Sequence, residues 1–458
     1  MSVRPALASK PVTTSVSGWG RTAPTTALLT RPRTYAEAEA AVRKCAGRGA
    51  IARGLGRAYG DAAQNAGGRV LDMTALDRIR TIDAVNGLVT CEAGVSLDRL
   101  MESLLPLGWF VPVTPGTRYV TVGGAIAADI HGKNHHQSGA FTRHVRAFDL
   151  LMADGTIRHV TPEDEPALFW ATAGGMGLTG VVLAATIELL PVQTSLISVD
   201  TVRAVDLDDL MARMTATDHR YRYSVAWIDL LAQGASMGRA VLTRGDHAPL
   251  DALPPRARRV PLAFRPARLP AVPRHTPGVL RPSTVRLFNE FWYRRAPRER
   301  RDELQRIPAF FHPLDGLPEW NRLYGRRGFV QYQFVVGYGQ EPALRRIVER
   351  ISRQGCPSFL AVLKRFGEAD PGWLSFPMAG WTLALDIPAG LPGLDTFLDG
   401  LDEQVVKADG RVYLAKDSRL RPELLPAMYP QLNAFRALRE QHDPRGAFTS
   451  DLARRLSL

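Results

Sequence analysis

The chain has 458 residues, 45% of them hydrophobic and 22% charged, which is enough apolar material for two or three cores and too much for a disordered chain. Three cysteines far apart, Cys45, Cys91 and Cys356, argue against a disulfide framework or a structural zinc site, and no apolar run approaches the ~18 residues that cross a bilayer. A formal net charge of +13 points to an anionic partner: nucleic acid, an anionic membrane surface or a phosphorylated substrate.

The opening MSVRPALASKPVTTSVSGWG has no continuous apolar stretch of the export-signal kind, so the chain reads as soluble. Residues 35–50, YAEAEAAVRKCAGRGA, carry apolar residues at helical spacing and end in glycine, which predicts a helix. AIARG, GRVLDM and GLVTCEAGV are short β-like runs bounded by turn residues, so the first half reads as α+β.

Between the first two of these runs lies ARGLGRAYGD, residues 52–61. Gly54, Gly56 and Gly60 miss the dinucleotide fingerprint by one position, Tyr59 standing where its third glycine belongs, and the next element is a strand. Such a loop admits close approach of a ligand and offers backbone N–H groups to an anion, with Arg53 or Arg57 adding charge; a tight surface turn fits almost as well. Two further clusters favour the ligand: PVTPGTRYVTVGGAIAADIHGKNHH (112–136), and TAGGMGLTGVVLAATIELLP (172–191) leading into an apolar strand. HGKNHH lacks the glutamate of an H-E-x-x-H metal helix, Gly132 occupying its place, and no P-loop pattern surrounds Lys133; no metal is expected.

Residues 254–282 hold eight prolines and seven arginines without periodicity, which predicts a long basic loop or mobile lid. FVQYQFVVGY and GWTLALDIP read as strands, and the last 45 residues as turns and short helices. Only six of the 58 basic residues are lysines, Lys10, Lys44, Lys133, Lys364, Lys407 and Lys416. A lysine in a polar cluster therefore stands out, because lysine alone of the two can be tuned to lose its proton.

The order and wording of the three glycine clusters resemble the FAD-binding domain of the vanillyl-alcohol-oxidase/PCMH flavoprotein superfamily. The phrases GWGRTAP, ARGLGRAYGD, TVGGAIAADIHGKNHH, LFWATAGGMGLTG, EWNRLYG, FVQYQF, YLAKDSR and SDLARRL bring the chain closer to the decaprenylphosphoryl-ribose oxidase family, from about Gly18 to Arg455. The resemblance implies an α+β, two-domain PCMH-type fold with a substrate domain built on an antiparallel sheet. The flavin domain would span residues 6–193, the substrate domain 194–410, and a segment from 411 to 458 would complete the flavin domain.

In the family, a hydride passes from C2′ of a polyprenylphosphoryl ribose to FAD, and a separate NADH-dependent partner reduces the keto sugar with inverted configuration, supplying cell-wall arabinan. The resemblance assigns FAD contacts to Arg53, Gly54, Leu55, Gly56, Arg57, Ala58, Tyr59 and Gly60 in the first loop. Gly116, Thr117, Thr121, Val122, Gly123, Gly124, Ala128, Asp129, Ile130 and His131 follow in the second, with Gly180, Val181 and Tyr413 beyond. Lys416, His131 and Lys133 match catalytic positions, and Gln331, Gln333, Lys364 and Lys416 match the sugar pocket. Hydrogen transfer from an alcohol needs a group that takes the hydroxyl proton, and Lys416 is the candidate.

Two departures carry expectations. Superfamily members that bind flavin covalently use a histidine in the first loop; Tyr59 implies noncovalent FAD. Close relatives carry cysteine at the position of Ala384, the target of covalent nitroaromatic inhibitors, and asparagine at that of Thr382. The family's placement at the cell envelope, facing the periplasm, and a peripheral anionic membrane surface as partner are expected by resemblance, a cytoplasmic, membrane-associated enzyme being the alternative. A soluble alditol or sugar-lactone oxidase is the alternative enzyme; a nucleic-acid binder is disfavoured because the arginines are dispersed and no recognition motif occurs.

Overall fold

Thr34 begins the first helix: its hydroxyl accepts a hydrogen bond from the Glu37 amide, and Tyr35–Arg43 then buries Ala38, Ala41 and Val42. The computed structural model describes residues 11–458 except Ala46, Arg265, Ala267 and Arg268, so residues 6–10 of the expected flavin domain and those three positions of the prolyl segment lie outside the description. The predicted strands at 50, 69 and 88 form as Ala50–Arg53, Arg69–Asp72 and Leu88–Glu92. The first two pair parallel to each other across the glycine loop, in a four-stranded sheet completed by Thr25–Thr30 and Val12–Val16.

Leu88–Glu92 belongs to a second, five-stranded antiparallel sheet whose centre is Val181–Glu188, the apolar strand after the third glycine cluster. Ala38 and Val42 of the helix, Leu71 of the first sheet, and Leu151, Val181 and Leu183 of the second share one buried core. The glycine loops thus emerge from a rigid double-sheet scaffold.

The second half is organised by an eight-stranded antiparallel sheet. Its order is Glu299–Arg306, Leu196–Ala204, Ala240–His247, Tyr223–Ile228, Ala361–Phe366, Gly380–Pro388, Phe329–Gly337 and Arg411–Val412. The two predicted strands at 329 and 380 pair with each other over their whole length, Gln331 opposite Asp386 and Gln333 opposite Ala384. Helices Glu341–Gln354 and Leu394–Lys407 bury apolar residues such as Leu344, Ile347, Leu398 and Leu401.

After Val412 the chain passes through Tyr413–Lys416 and returns to the first scaffold. Phe448 bridges Ala50, Asp451 accepts from the Ala66 amide, and Arg455 pairs with Asp61 and Asp417. The final helices, Leu432–His442 and Asp451–Leu456 among them, are short, as the sequence predicts.

The prolyl segment differs from expectation in one respect: residues 255–258 make a turn of helix, with Pro255 at its first position, where the missing N–H forfeits nothing. The rest of its described residues run irregularly along residues 316–323, held by Leu269, Val272 and Val279 amides donating to the carbonyls of Gly316, Pro318 and Leu323. A fourteen-residue helix, Pro282–Arg295, follows. Among the described residues no helix is long and apolar enough to cross a membrane.

Candidate active site

Side chains alternate across a strand, so every second residue of the large sheet faces the glycine loops. Gln331 and Gln333, Ala384, Val362 and Lys364, Val225 and Trp227, Val241 and Thr243 all do so, and together with the loops they enclose a cavity of about 1020 Å³. The three glycine clusters contribute Gly54, Gly56, Gly116, Gly123, Gly124, Gly177 and Gly180 to its wall.

Glycine is required where these loops meet. A Cβ at Gly54 would stand 2.1 Å from Thr121 Oγ1, and one at Gly60 would stand 1.9 Å from the Asp417 carbonyl oxygen. The first loop is therefore wedged against the second loop on one side and against the C-terminal return on the other. The second loop is pinned in turn by Arg118, which is almost fully buried: its guanidinium meets Asp98 at 2.5 Å and Asp315 at 3.4 Å. Arg57 lies 3.9 Å over the Trp19 ring with a buried Nε that has no hydrogen-bond partner. Glycine-lined backbone plus an unsatisfied guanidinium suit a phosphate-bearing, planar cofactor such as FAD.

At the other end, Lys416 Nζ stands 3.9 Å from the centre of the Tyr59 ring. Nearby, Asp386 accepts from Gln331 Nε2 at 2.5 Å and from the Tyr324 hydroxyl at 3.3 Å. Burial pushes the Lys416 amine down to about 7, outweighing the opposing pull of Asp386, and pushes the Asp386 carboxyl up to about 7. An amine in this state can take a proton near neutral pH.

His131 is held differently. Its Nε2 faces Gln333 Nε2 at 2.9 Å, and that amide also donates to Thr382 Oγ1 at 3.2 Å, so Nε2 is the acceptor. Burial, then the positive charges of Lys364 and its neighbours, hold the ring well below its usual range, hence neutral. The neutral ring with its acceptor occupied positions Gln333; the amine on Tyr59 is the better proton acceptor. His135, four residues on, turns instead to Asp370 at 2.7 Å and accepts from the Gly367 amide, so the two histidines serve separate hydrogen-bond sets.

Comparison with known proteins places this geometry. A family model described as FAD binding domain matches residues 26–161, and one described as D-arabinono-1,4-lactone oxidase matches residues 339–456. The chain is 46% identical to the decaprenylphosphoryl-beta-D-ribose oxidase of Mycolicibacterium smegmatis over 455 residues, 98% of each protein. It belongs to the decaprenylphosphoryl-β-D-ribose oxidase family. An L-gulono-1,4-lactone dehydrogenase of Mycobacterium tuberculosis is 24% identical over 93% of this chain and 95% of its own. The solved structure of Physcomitrella patens BBE-like 1 superposes with a TM-score of 0.66 at 16% identity, covering 93% of this chain and 90% of that one, and so shares the fold.

Most positions that the family resemblance singles out line the cavity: Arg53 to Tyr59, Gly116, Thr117, Thr121, Gly123, Gly124, Ala128, Ile130, His131, Lys133, Gly180, Gln331, Gln333, Lys364, Tyr413 and Lys416. Four do not. Gly60 is packed beneath the Asp417 backbone, Val122 and Val181 are buried in the two cores, and the Asp129 carboxylate turns away to the Thr142 amide and the Ser375 hydroxyl. Their places are structural supports of the loops.

Sequence reasoning missed Asp386, Tyr324 and the Arg118–Asp315 pair, and it missed the apolar wall of Val225, Trp227, Val241, Phe288 and Trp292. The alternation of GWTLALDIP carried a signal for Asp386, which falls on the same face as Ala384; nothing local marked the others.

Proposed function

We propose that this protein oxidises the C2′ hydroxyl of a polyprenylphosphoryl ribose, decaprenylphosphoryl-β-D-ribose being the type substrate, to the 2′-keto sugar. The observation that carries the reading is an amine, Lys416, whose pKa lies near 7 and which stands on the Tyr59 ring at the end of the cavity that the glycine loops close. FAD, when bound, supplies the two-electron acceptor. Gly54, Gly56, Gly116, Gly123 and Gly124 would hold it by close backbone approach, with Arg57 adding charge.

Lys416 takes the hydroxyl proton as the C2′–H bond breaks. Tyr59 holds the amine on its ring face, and Asp386, aligned by Gln331 and Tyr324, sets its charge balance; Gln333, whose two Nε2 hydrogens go to His131 and Thr382, offers its Oε1 as acceptor to a sugar hydroxyl from the adjoining strand position. The aromatic and aliphatic wall excludes water from the reacting carbon.

The FAD is bound noncovalently. In support, the described lining residues include no cysteine, and their single histidine, His131, has Nε2 engaged. The keto sugar passes to an NADH-dependent reductase, so the oxidation is the first half of an epimerisation that feeds cell-wall arabinan. The enzyme works at the cell envelope, on its periplasmic side, against an anionic membrane surface. The helix Pro282–Arg295 supports the membrane contact: it exposes Leu287 (74%) and Phe291 (57%), while its Phe288 and Trp292 line the cavity. Residues 254–298 carry eleven arginines and one acidic residue, Glu290.

The lactone-oxidase match over residues 339–456 sustains one other reading, a soluble lactone or alditol oxidase. Anaerobic mixing with farnesylphosphoryl ribose, L-gulono-1,4-lactone and simple alditols separates the two. Bleaching of the flavin band by the prenylphosphoryl sugar is expected, and bleaching by a lactone or alditol alone would reverse the assignment.

A further inference from the structure

Two enclosed cations have no part in the oxidation just described. Lys133 hydrogen-bonds through Nζ to the Phe310 carbonyl and stands 4.4 Å from the Phe310 ring centre; Lys364 makes only a ring contact, with Phe366 at 5.7 Å. Neither forms an ion pair among the described residues, and both face the cavity, not bulk solvent. Removal from water pushes Lys133 down to about 7, with the charge of Lys364 contributing, and Lys364 down to about 8. Amines of like charge in a largely apolar enclosure, neither paired with a carboxylate among the described residues, are unfavourable unless a ligand brings the counter-charge.

The strand order says where along a ligand that charge falls. Lys364 lies on the strand Ala361–Phe366, two strands from Gln331 and Gln333 and beside the strand of Val225 and Trp227. On its sugar side are glutamines, Ala384 and Lys416. On its other side the wall is mostly apolar for three strand spacings, roughly 14 Å, through Val225, Trp227 and Val241 under Phe288 and Trp292, with Thr243 and Thr201 its polar side chains, before it ends at Glu303 and Gln305 on the edge strand. Lys133 reaches the same junction from the opposite wall, its backbone carbonyl accepting from the Ser224 amide.

We propose that Lys364 and Lys133 form a phosphate subsite at this junction, clamping the phosphodiester of a prenylphosphoryl sugar while its first isoprene units lie in the apolar gallery. The proposal rests on the prenylphosphoryl-ribose reading above. It gives Lys133 a binding task in place of a catalytic one. It also explains how a sugar oxidase would reject free sugars: without the phosphate, nothing offsets the cost of holding the two buried amines protonated.

The FAD-loaded protein is titrated calorimetrically with farnesyl phosphate, farnesol and inorganic phosphate. Farnesyl phosphate is expected to bind at least about tenfold tighter than either of the others, since charged hydrogen bonds are lost in one and the gallery is empty in the other. Lys364→Met and Lys133→Met should each weaken farnesyl phosphate by roughly tenfold to a hundredfold and leave farnesol unchanged, while Lys364→Arg keeps most of the affinity. Flavin content and melting temperature verify folding, and the methionine variants, relieved of an unpaired charge, should melt no lower than wild type.

Farnesyl phosphate binding unaltered in both methionine variants overturns the proposal. So does farnesol binding as tightly as farnesyl phosphate. Inorganic phosphate binding as tightly as farnesyl phosphate removes the prenyl gallery from the site and overturns the assignment as stated. Farnesyl phosphate binding that depends on the lysines, in a protein that fails to oxidise prenylphosphoryl ribose, would sustain the subsite and refute the function assigned above.

Discussion

Replacing Lys416 with arginine fixes on the Tyr59 ring the positive charge that the amine carries only when protonated, and so removes the one property the mechanism asks of this side chain. With its pKa at about 7 the amine is mostly neutral at pH 7.5. About three molecules in four then carry the base, against roughly one in a thousand for an ordinary lysine. Guanidinium stays protonated throughout, so Lys416→Arg should slow substrate-driven flavin reduction by ~10²–10⁴-fold. The sign of the wild-type pH profile follows from the direction of the shift. A lowered amine is the active base above its pKa, so the rate rises between pH 6 and 8, levels off, and is lost as pH falls below 7. Asp386 stabilises the ammonium form, so Asp386→Asn should move the midpoint to lower pH. Stopped-flow flavin reduction across that range, with bound FAD measured by absorbance, tests all three. A Lys416→Arg rate within tenfold of wild type, or a wild-type rate flat from pH 6 to 8, would refute the assignment of the base.

Acid precipitation should release all FAD into the supernatant, and yellow colour in the washed pellet would reveal a covalent bond. Ala384 lies on the cavity wall opposite Gln333 and only 8% exposed, so Ala384→Cys adds one small polarisable group without disturbing the sheet. Mass spectrometry after turnover with a benzothiazinone-type nitroaromatic should find an adduct on that variant and none on wild type, whose cysteines lie outside the cavity wall. Arg118→Met leaves Asp98 and Asp315 buried without their shared cation, so it should destabilise the protein by about 3–5 kcal/mol and loosen FAD through the second loop. An unchanged melting temperature would mean that this pair does not hold the loop.

The glycine loops, the strands at 50, 69, 88, 329 and 380, and the family itself were legible in the residues, because each depends on a local property. Gly54 and Gly60 occupy places where no Cβ fits, and alternating apolar runs specify a half-buried strand wherever it pairs. Lys416 could be singled out for the same reason: it is one of six lysines in a chain that otherwise uses arginine. Its chemistry could not be read there. The neutral amine comes from burial against Tyr59 and Asp386, residues 357 and 30 positions away, which only the crossing of the C-terminal return over the first loop brings together. Likewise no local pattern orders eight strands so that Lys364 separates a glutamine end from an apolar gallery. Strand order is set by which faces bury best against one another across hundreds of residues, and the environment of an ionisable group is the sum of what that packing leaves around it.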